Sequence, residues 1–250
     1  ERMKKTQNRV ILTPAKRAVA RYKMIEEGDR IAVGISGGKD SGALLYILSI
    51  LRLHLPQPFF LHAVFIDMGW PVNTAPLEKF CRQLKIPFHV EKTAIAKIVF
   101  ERRQEKNPCS LCAKLRRGAL HQTALKLGCN KVALGHHLDD VIQTLFLNLI
   151  FTGNFSTFKP RTYLSRTGLY LIRPMIYLSQ KSIFLLHRWQ NIPTLENPCP
   201  VEGQTKRSEI ANLVNTLIQR YPDLHQRFIT SLENIKPEGF WYPDPKPRRK

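Results

Sequence analysis

The string Ser36-Gly37-Gly38-Lys39-Asp40-Ser41 joins an apolar run at residues 31–35 to a helical stretch from Gly42 to about Leu53. A buried strand that stops at paired glycines and restarts as a helix aims several backbone N–H groups at one spot, where the helix dipole also favours negative charge. The chemistry is anion binding. It is not the Walker A pattern, whose glycines lie further apart and whose Lys precedes Ser or Thr, because here Lys39 precedes Asp40. A Gly-rich turn with a Ser N-cap is the plain structural alternative.

A second group is Cys109 and Cys112, in Asn107-Pro108-Cys109-Ser110-Leu111-Cys112 at the start of a helical pattern. Thiols at this spacing can face one metal, and the helix N-terminus with Lys114, Arg116 and Arg117 would lower their pKa toward thiolate. Alone, such a pair is half a zinc site, a redox pair or coincidence. Cys199, in the polar and Pro-rich Asn197-Pro198-Cys199-Pro200, adds a third thiol. Three cysteines without an obvious fourth Cys or His argue against a closed structural zinc site and suit a [4Fe-4S] cluster with one iron open to a small ligand. Cys81 and Cys129 have apolar neighbours and read as buried, inert thiols.

A third group follows an apolar run at 131–134, where Gly135-His136-His137-Leu138-Asp139-Asp140 leads into a helix. Gly135 lets backbone approach a ligand closely, and the His and Asp pairs place imidazole and carboxylate together. The alternative is helix capping by Asp139 or Asp140 beside two surface histidines.

These groups need a scaffold. Apolar runs at 31–35, 59–66, 87–90 and 131–134 alternate with helical patterns, one of them around Ala75 to Leu84, which implies a parallel sheet with helices on both faces. In such sheets ligands bind at the carboxyl ends of the strands. Asp67, at the end of the second run, therefore shares a rim with the Ser36–Ser41 loop, with turn capping as its alternative role. Residues 151–168 carry Asn154, Phe155, Phe158, Lys159, Arg161, Tyr163 and Arg166 and read as a loop suited to phosphates and unpaired bases, or as a surface connection. A strand at 170–172, a helix near 179–190 and two more from about Thr205 to Asn234 follow.

Lys and Arg number 39 against 19 Asp and Glu, a formal charge of +20, which points to a polyanionic partner. With 43% apolar residues and 17 scattered prolines the chain is a folded domain, not a disordered basic tail. No apolar run is long enough to span a bilayer and the start does not resemble a signal peptide, so a cytoplasmic protein is expected. Five cysteines, an odd number, disfavour a disulfide framework. Residues 1–29 place Lys4, Lys5, Arg9, Lys16, Arg17, Arg21 and Lys23 around Val10, Ile11, Leu12, Val19, Tyr22 and Met24, a basic amphipathic helix that is either a solvated face or a nucleic-acid contact. The expected organisation is this segment, a nucleotide-binding domain at 30–175 carrying the cysteine pair, a helical region at 176–236 with the third Cys, and a basic Pro-rich tail at 237–250 that is poorly ordered.

The SGGKDS string, in its strand–turn–helix setting, resembles the PP-loop of the N-type ATP pyrophosphatases, which adenylate a substrate and release pyrophosphate. Together with CSLCAKLRRG, ALGHHLDDVIQTLFLNL, LIRPM, the late NPC and Arg220-Tyr221-Pro222, it resembles the TtcA-type tRNA 2-thiocytidine synthetases from about residue 10 to 240. The resemblance implies an α/β fold: an adenine nucleotide α-hydrolase-like, parallel-sheet PP-loop (HUP-type) domain with N- and C-terminal helical additions. It implies that Ser36, Gly37, Gly38, Lys39, Asp40 and Ser41 hold the ATP pyrophosphate with Mg²⁺, and that Asp67, Gly135 and His136 line the nucleotide rim. It implies that Cys109, Cys112 and Cys199 hold a [4Fe-4S] cluster, and that Lys39 and Asp40 are catalytic, with Asp139 or Asp140 orienting metal or substrate. ATP would adenylate the C2 oxygen of cytidine 32 in the anticodon loop of tRNA, and sulfur at the open iron would displace AMP. A carbonyl oxygen is a poor leaving group and AMP a good one, so activation must come first. Further implied partners are a sulfur donor, either a cysteine desulfurase or inorganic sulfide, and a second copy of the chain.

One departure bears on the target base. Many members of the family have a second cysteine pair where this chain reads Cys199-Pro200-Val201-Glu202-Gly203, so a persulfide carrier there is missing. Gly203, Lys206 and Arg207 resemble the tRNA 2-thiouridine synthetases instead, although those carry paired zinc modules that five cysteines cannot supply. Thiolation of a uridine is thus an alternative; amination, as in lysidine synthetases, lacks the cysteine triad. A nucleic-acid-binding module with a vestigial nucleotide site is opposed by the intact Lys39, Asp40 and three cysteines.

Overall fold

The structure is a computed structural model and describes residues 7–103, 108–196, 198–199 and 206–241. Lys4, Lys5, Asn107, Asn197, Pro200, Gly203 and the tail from 242 onward, to which parts of the sequence reading refer, lie outside the described residues. Strands β1 (Arg30–Ile35), β2 (Phe60–Asp67), β3 (Phe88–Lys92), β4 (Lys131–Ala133), β5 (Arg161–Leu164) and β6 (Leu169–Ile172) form one sheet in the order β3-β2-β1-β4-β6-β5. Every pairing is parallel except β5 with β6. The helices are α1 (Thr13–Arg21), α2 (Lys39–His54), α3 (Ala75–Gln83), α4 (Pro108–Lys126), α5 (Leu138–Thr152), α6 (Gln180–Trp189), α7 (Lys206–Arg220) and α8 (Leu224–Glu233).

The central strands read as continuous apolar runs because both faces of the sheet are covered. Ile31, Val33 and Ile35 of β1 pack with Leu44 and Leu48 of α2 and Ile183 and Leu186 of α6. On the other face Ala32, Val64 and Val132 meet Leu120 and Ala124 of α4. Every residue of α2 from Ser41 to Leu51 is buried, and each large apolar side chain removed from water contributes about 1.5–3 kcal/mol. The loop that opens α2 is therefore mounted on a fixed post. At the opposite edge the buried Lys131 sits 2.7 Å from both Glu26 and Asp29 and pins β4 to the turn before β1.

Two readings are corrected. The segment 151–168 is not one loop: α5 continues to Thr152, ends at Gly153 with φ 66°, and residues 161–164 form the antiparallel edge strand. Tyr163 pairs across it with Tyr170, ring centroids 4.9 Å apart, and Arg161 stacks 4.1 Å over the same Tyr170 ring. The basic N-terminal helix is not wholly a solvated face. Arg21 pairs with Glu233 of α8 at 2.8 Å, Arg17 lies 4.4 Å over Tyr177, and the Tyr22 and Tyr177 hydroxyls both donate to Glu233, so α1 is docked against α8. Among the described residues no helix is long and apolar enough to cross a membrane.

Candidate active site

The strand order turns at β1 and β4: the chain runs outward from β1 through β2 and β3 on one side, and from β4 to β6 on the other. A crevice opens at the carboxyl ends of such a pair. The Ser36–Ser41 loop leaves β1 and the Gly135-His136-His137 turn leaves β4, so both enter this crevice. Gly37 takes φ 85°, a left-handed conformation that favours glycine. The Ser36 N–H donates to Ser41 Oγ at 3.1 Å and Ser41 Oγ donates to the Gly38 carbonyl at 2.9 Å, which closes the loop on itself. The N-cap of α2 is Gly38, not a serine, and no side chain caps the helix. The first-turn N–H groups are left to an anion.

Lys39 Nζ lies 3.2 Å from Asp40 Oδ2. Asp40 Oδ1 is buried without a hydrogen-bond partner, with His137 Nε2 4.0 Å away. An orphaned carboxylate oxygen beside an anion cradle suits a cation that travels with phosphates, such as Mg²⁺. Asp40 lines a cleft of about 360 Å³ with His137, Asp140, Gln143, Gln180 and Arg207. The close approach that Gly135 permits is to the loop itself: a Cβ there would sit 3.2 Å from the Asp40 carbonyl and 3.3 Å from Ser41 Cα.

Neither histidine is a plain surface residue. His137 is buried with Asp140, Asp139 and Asp40 at 3.5, 3.6 and 4.0 Å. His136 is half-buried, its ring centroid 4.8 Å from that of Phe158, and its Nδ1 accepts from Arg173 Nε at 3.3 Å. Burial pushes the His136 pKa down to about 4; Asp140 opposes this and Arg173, Arg207 and His137 reinforce it, so the ring is neutral at pH 7. Asp67 keeps its place on the rim, where Oδ1 accepts the Gly69 N–H at 2.8 Å in the capping role named as its alternative.

The two aspartates separate. Asp140 caps α5 by accepting the His137 N–H at 3.0 Å, faces the cleft and pairs with Arg207 at 3.2 Å. Asp139 turns away: its oxygens accept the Gln180 N–H at 2.7 Å and face His225 Nε2 at 3.1 Å, tying α5 to α6 and α8. Of the two, Asp140 is the one that lines the cleft. Burial alone would raise the Asp139 pKa, yet the bonds from His225 and Gln180 and the charges of His225 and His137 bring it below its ordinary value. A lowered folded-state pKa contributes stability that is present above the unfolded value of about 3.9 and is lost as pH falls through the folded one. Asp139→Ala is expected to cost about 2–4 kcal/mol in urea unfolding at pH 7, with a smaller difference from the parent below pH ~3.

The cysteines reach the same rim by topology. Helix α4 precedes β4 and runs against the strand direction, so its first turn, with Cys109 and Cys112, lies at the carboxyl edge. The expectation of a lowered thiol pKa is corrected for Cys112: burial raises it, Arg116 opposes, and Cys199 and Cys109 each raise it further. Among the described residues no three Cys, His, Asp or Glu converge on a single ion, but an iron–sulfur cube takes its thiolates on separate irons and needs no such convergence. Three soft donors on one rim, one of them exposed, fit that group.

The link between loop and cysteines was not legible beforehand. The Leu195 N–H donates to the Gly37 carbonyl at 2.9 Å, and Leu195 Cβ lies 3.0 Å from where a Cβ on Gly37 would be. Below it, a Cβ on Gly42 would fall 2.5 Å from Ile192 Cγ2. The segment leading to Cys199 is thus laid directly on the loop and α2, and a glycine inside an otherwise apolar helix was the available signal. Gly42→Ala is expected to destabilise the fold by about 1–3 kcal/mol through overpacking, where an open helical site would gain about 1 kcal/mol. In an Ile192→Ala background, which lacks the clashing methyl, Gly42→Ala should cost less in a urea titration than it does in the parent chain.

A mostly parallel sheet with this loop at its switch point defines a PP-loop nucleotide-binding protein, and the sequence model of the PP-loop domain family matches residues 8–217. The chain belongs to the tRNA-cytidine(32) 2-sulfurtransferase family. It is 40% identical over 225 residues to the member from Pelobacter propionicus, covering 88% of this chain and 84% of that one. It is 41% identical over 226 residues to the member from Geotalea uraniireducens, covering 88% and 89%. Among solved structures it resembles the U34-tRNA thiolase NcsA from Methanococcus maripaludis with its [4Fe-4S] cluster, at TM-score 0.71 and 23% identity over 92% of this chain and 81% of that one; the likeness is one of fold.

Proposed function

We propose that this chain is an ATP-dependent tRNA sulfurtransferase that adenylates the C2 oxygen of cytidine 32 and replaces it with sulfur, giving 2-thiocytidine. The observation that carries this reading beyond family membership is the Leu195–Gly37 hydrogen bond, which lays the Cys199 segment on the phosphate loop. The N–H groups at the start of α2 bind the pyrophosphate portion of ATP, and Lys39 offsets the charge that grows on it as the bond to AMP forms. Asp40 supplies an acceptor oxygen to the Mg²⁺ that accompanies the nucleotide. Asp140, held by the His137 N–H and Arg207, orients the cleft. Cys109, Cys112 and Cys199 would hold a [4Fe-4S] cluster, which when bound supplies an iron site that carries the incoming sulfur. The same reading has sulfur delivered by a cysteine desulfurase or as inorganic sulfide, in the cytoplasm, to a homodimer.

Mass spectrometry of tRNA nucleosides with and without the gene tests the target. Loss of 2-thiocytidine on deletion supports the proposal; loss of a 2-thiouridine with 2-thiocytidine intact refutes it in favour of the uridine. The net charge of +20 also predicts a steep salt response. With about six phosphates neutralised, tRNA affinity should fall about 10³-fold between roughly 50 and 200 mM salt, and a flat response in a filter-binding titration would count against phosphate-dominated contact.

A further inference from the structure

Arg173 follows β6 directly, at the rim beside β4, and is only 8% exposed. Three contacts fix its guanidinium. Nη1 donates to the Lys159 carbonyl at 2.6 Å, the group lies 4.7 Å over the Phe158 ring, and Nε donates to His136 Nδ1 at 3.3 Å. The histidine in turn packs on Phe158, so all three side chains form one block at the end of β4 and β6.

The last contact has a consequence for proton position. Arginine has no acceptor and keeps its proton in proteins. A nitrogen that receives its N–H must therefore offer a lone pair, so Nδ1 of His136 is unprotonated and the proton of the neutral ring is on Nε2. Among the described residues no protein group bonds to Nε2, and it is not among the buried partnerless atoms, so it is open to a ligand. We infer that Arg173 is a positioning residue: it holds His136 in the Nε2–H tautomer, so that this imidazole meets the ligand in the crevice as a hydrogen-bond donor to an acceptor oxygen and does not act as a base.

The surrounding charges agree. Asp140 on α5 favours protonation of His136, while Arg173 after β6, Arg207 on α7 and the neighbouring His137 oppose it, and burial opposes it most. Removing Arg173 takes away one opposing charge and the donor to Nδ1, leaving the pull of Asp140, so the ring should then titrate at higher pH. The acceptor oxygen is either a phosphate oxygen of the nucleotide or the carbonyl of the target base. Only that identity rests on the proposed function; the tautomer does not.

The first test uses the full chain, without ligands and labelled with ¹⁵N-histidine, read by long-range ¹H–¹⁵N correlation and assigned with His136→Gln. At pH 7 His136 should show a bare Nδ1 and a protonated Nε2, unchanged to about pH 6, a full unit and more above its lowered pKa. Arg173→Met should give mixed tautomers and protonation at higher pH than in the parent, and Arg173→Lys, which keeps a donor, should fall between. A protonated Nδ1 in the parent chain, or an Arg173→Met spectrum identical to it, overturns the inference even if the chain proves to modify another base.

The second test reads thiolation. Arg173→Met should lose about tenfold in kcat/KM at pH 7, the worth of one hydrogen bond, and gain an acid limb absent from the parent. Adding His136→Gln, whose amide donates without a tautomer to set, should recover part of the loss. A raised KM for ATP identifies a phosphate oxygen as the acceptor and a raised KM for tRNA the base carbonyl. An Arg173→Met profile parallel to the parent at every pH overturns the positioning role.

Discussion

Replacing Lys39 with Ala is expected to lower 2-thiocytidine formation by about 10³-fold, the scale on which a single preorganised donor to a developing oxyanion acts, while tRNA affinity should stay within about twofold because +20 of net charge is spread over the chain. Lys39 is the first residue of α2 and its side chain is about one-third exposed, 3.2 Å from Asp40. It stands where helix N–H groups, left uncapped by Gly38, already collect negative charge. What those dipoles lack is a mobile full charge that can follow the pyrophosphate as it departs. Removing it also leaves Asp40 facing the phosphates without its partner, which adds repulsion to the lost attraction. Lys39→Arg should restore only part of the rate, because a planar guanidinium cannot take the place of a compact ammonium beside a backbone cradle. Pyrophosphate release and nucleoside analysis on the same samples separate activation from sulfur insertion. Unchanged thiolation in Lys39→Ala would exclude the role assigned to the loop.

That loop and the parallel core were legible because each is written in consecutive residues: strand, paired glycines and buried helix follow one another in the chain, although α2 opens at Lys39, three residues before the expected Gly42. The antiparallel edge strand was not, since Arg161 and Tyr163 carry the polarity of an edge and lack the apolar run that marks a central strand. Asp139 and Asp140 could not be told apart either. Adjacent helical residues point about 100° apart, and which one faces the cleft depends on α6 and α8, which arrive some 40 and 85 residues later. Arg173 was visible only as part of the LIRPM string. Its partner His136 is 37 positions away, and only the pairing of β4 with β6 brings them to one rim. Most of the site that the sequence did not disclose thus consists of contacts made by the sheet order and not by spacing.

The same order predicts which cysteines matter. Cys109→Ala, Cys112→Ala and Cys199→Ala should each remove the broad iron–sulfur absorbance of the anaerobically reconstituted protein and lower thiolation by at least about 10²-fold, the upper range for losing a group that supports a metal centre. Cys81→Ala and Cys129→Ala should keep both. Cys81 is buried in the main core, where burial together with the Glu78 charge pushes its pKa up to about 12, and Cys129 is buried under α4 with its pKa raised by burial. Such thiols are inert packing, and their loss costs about 1 kcal/mol of stability. The triad differs because α4 delivers two thiols to the carboxyl rim and the Leu195–Gly37 bond delivers the third. A full zinc complement without iron in fresh anaerobic protein would overturn the cluster. The sharper readout is what survives: since Ser36–Ser41 stays on its buried helix, the three variants should still exchange pyrophosphate with ATP in the presence of tRNA. Loss of that exchange along with thiolation would mean that the cysteines hold the loop in shape, and the division between an activating half and a sulfur-inserting half would fail.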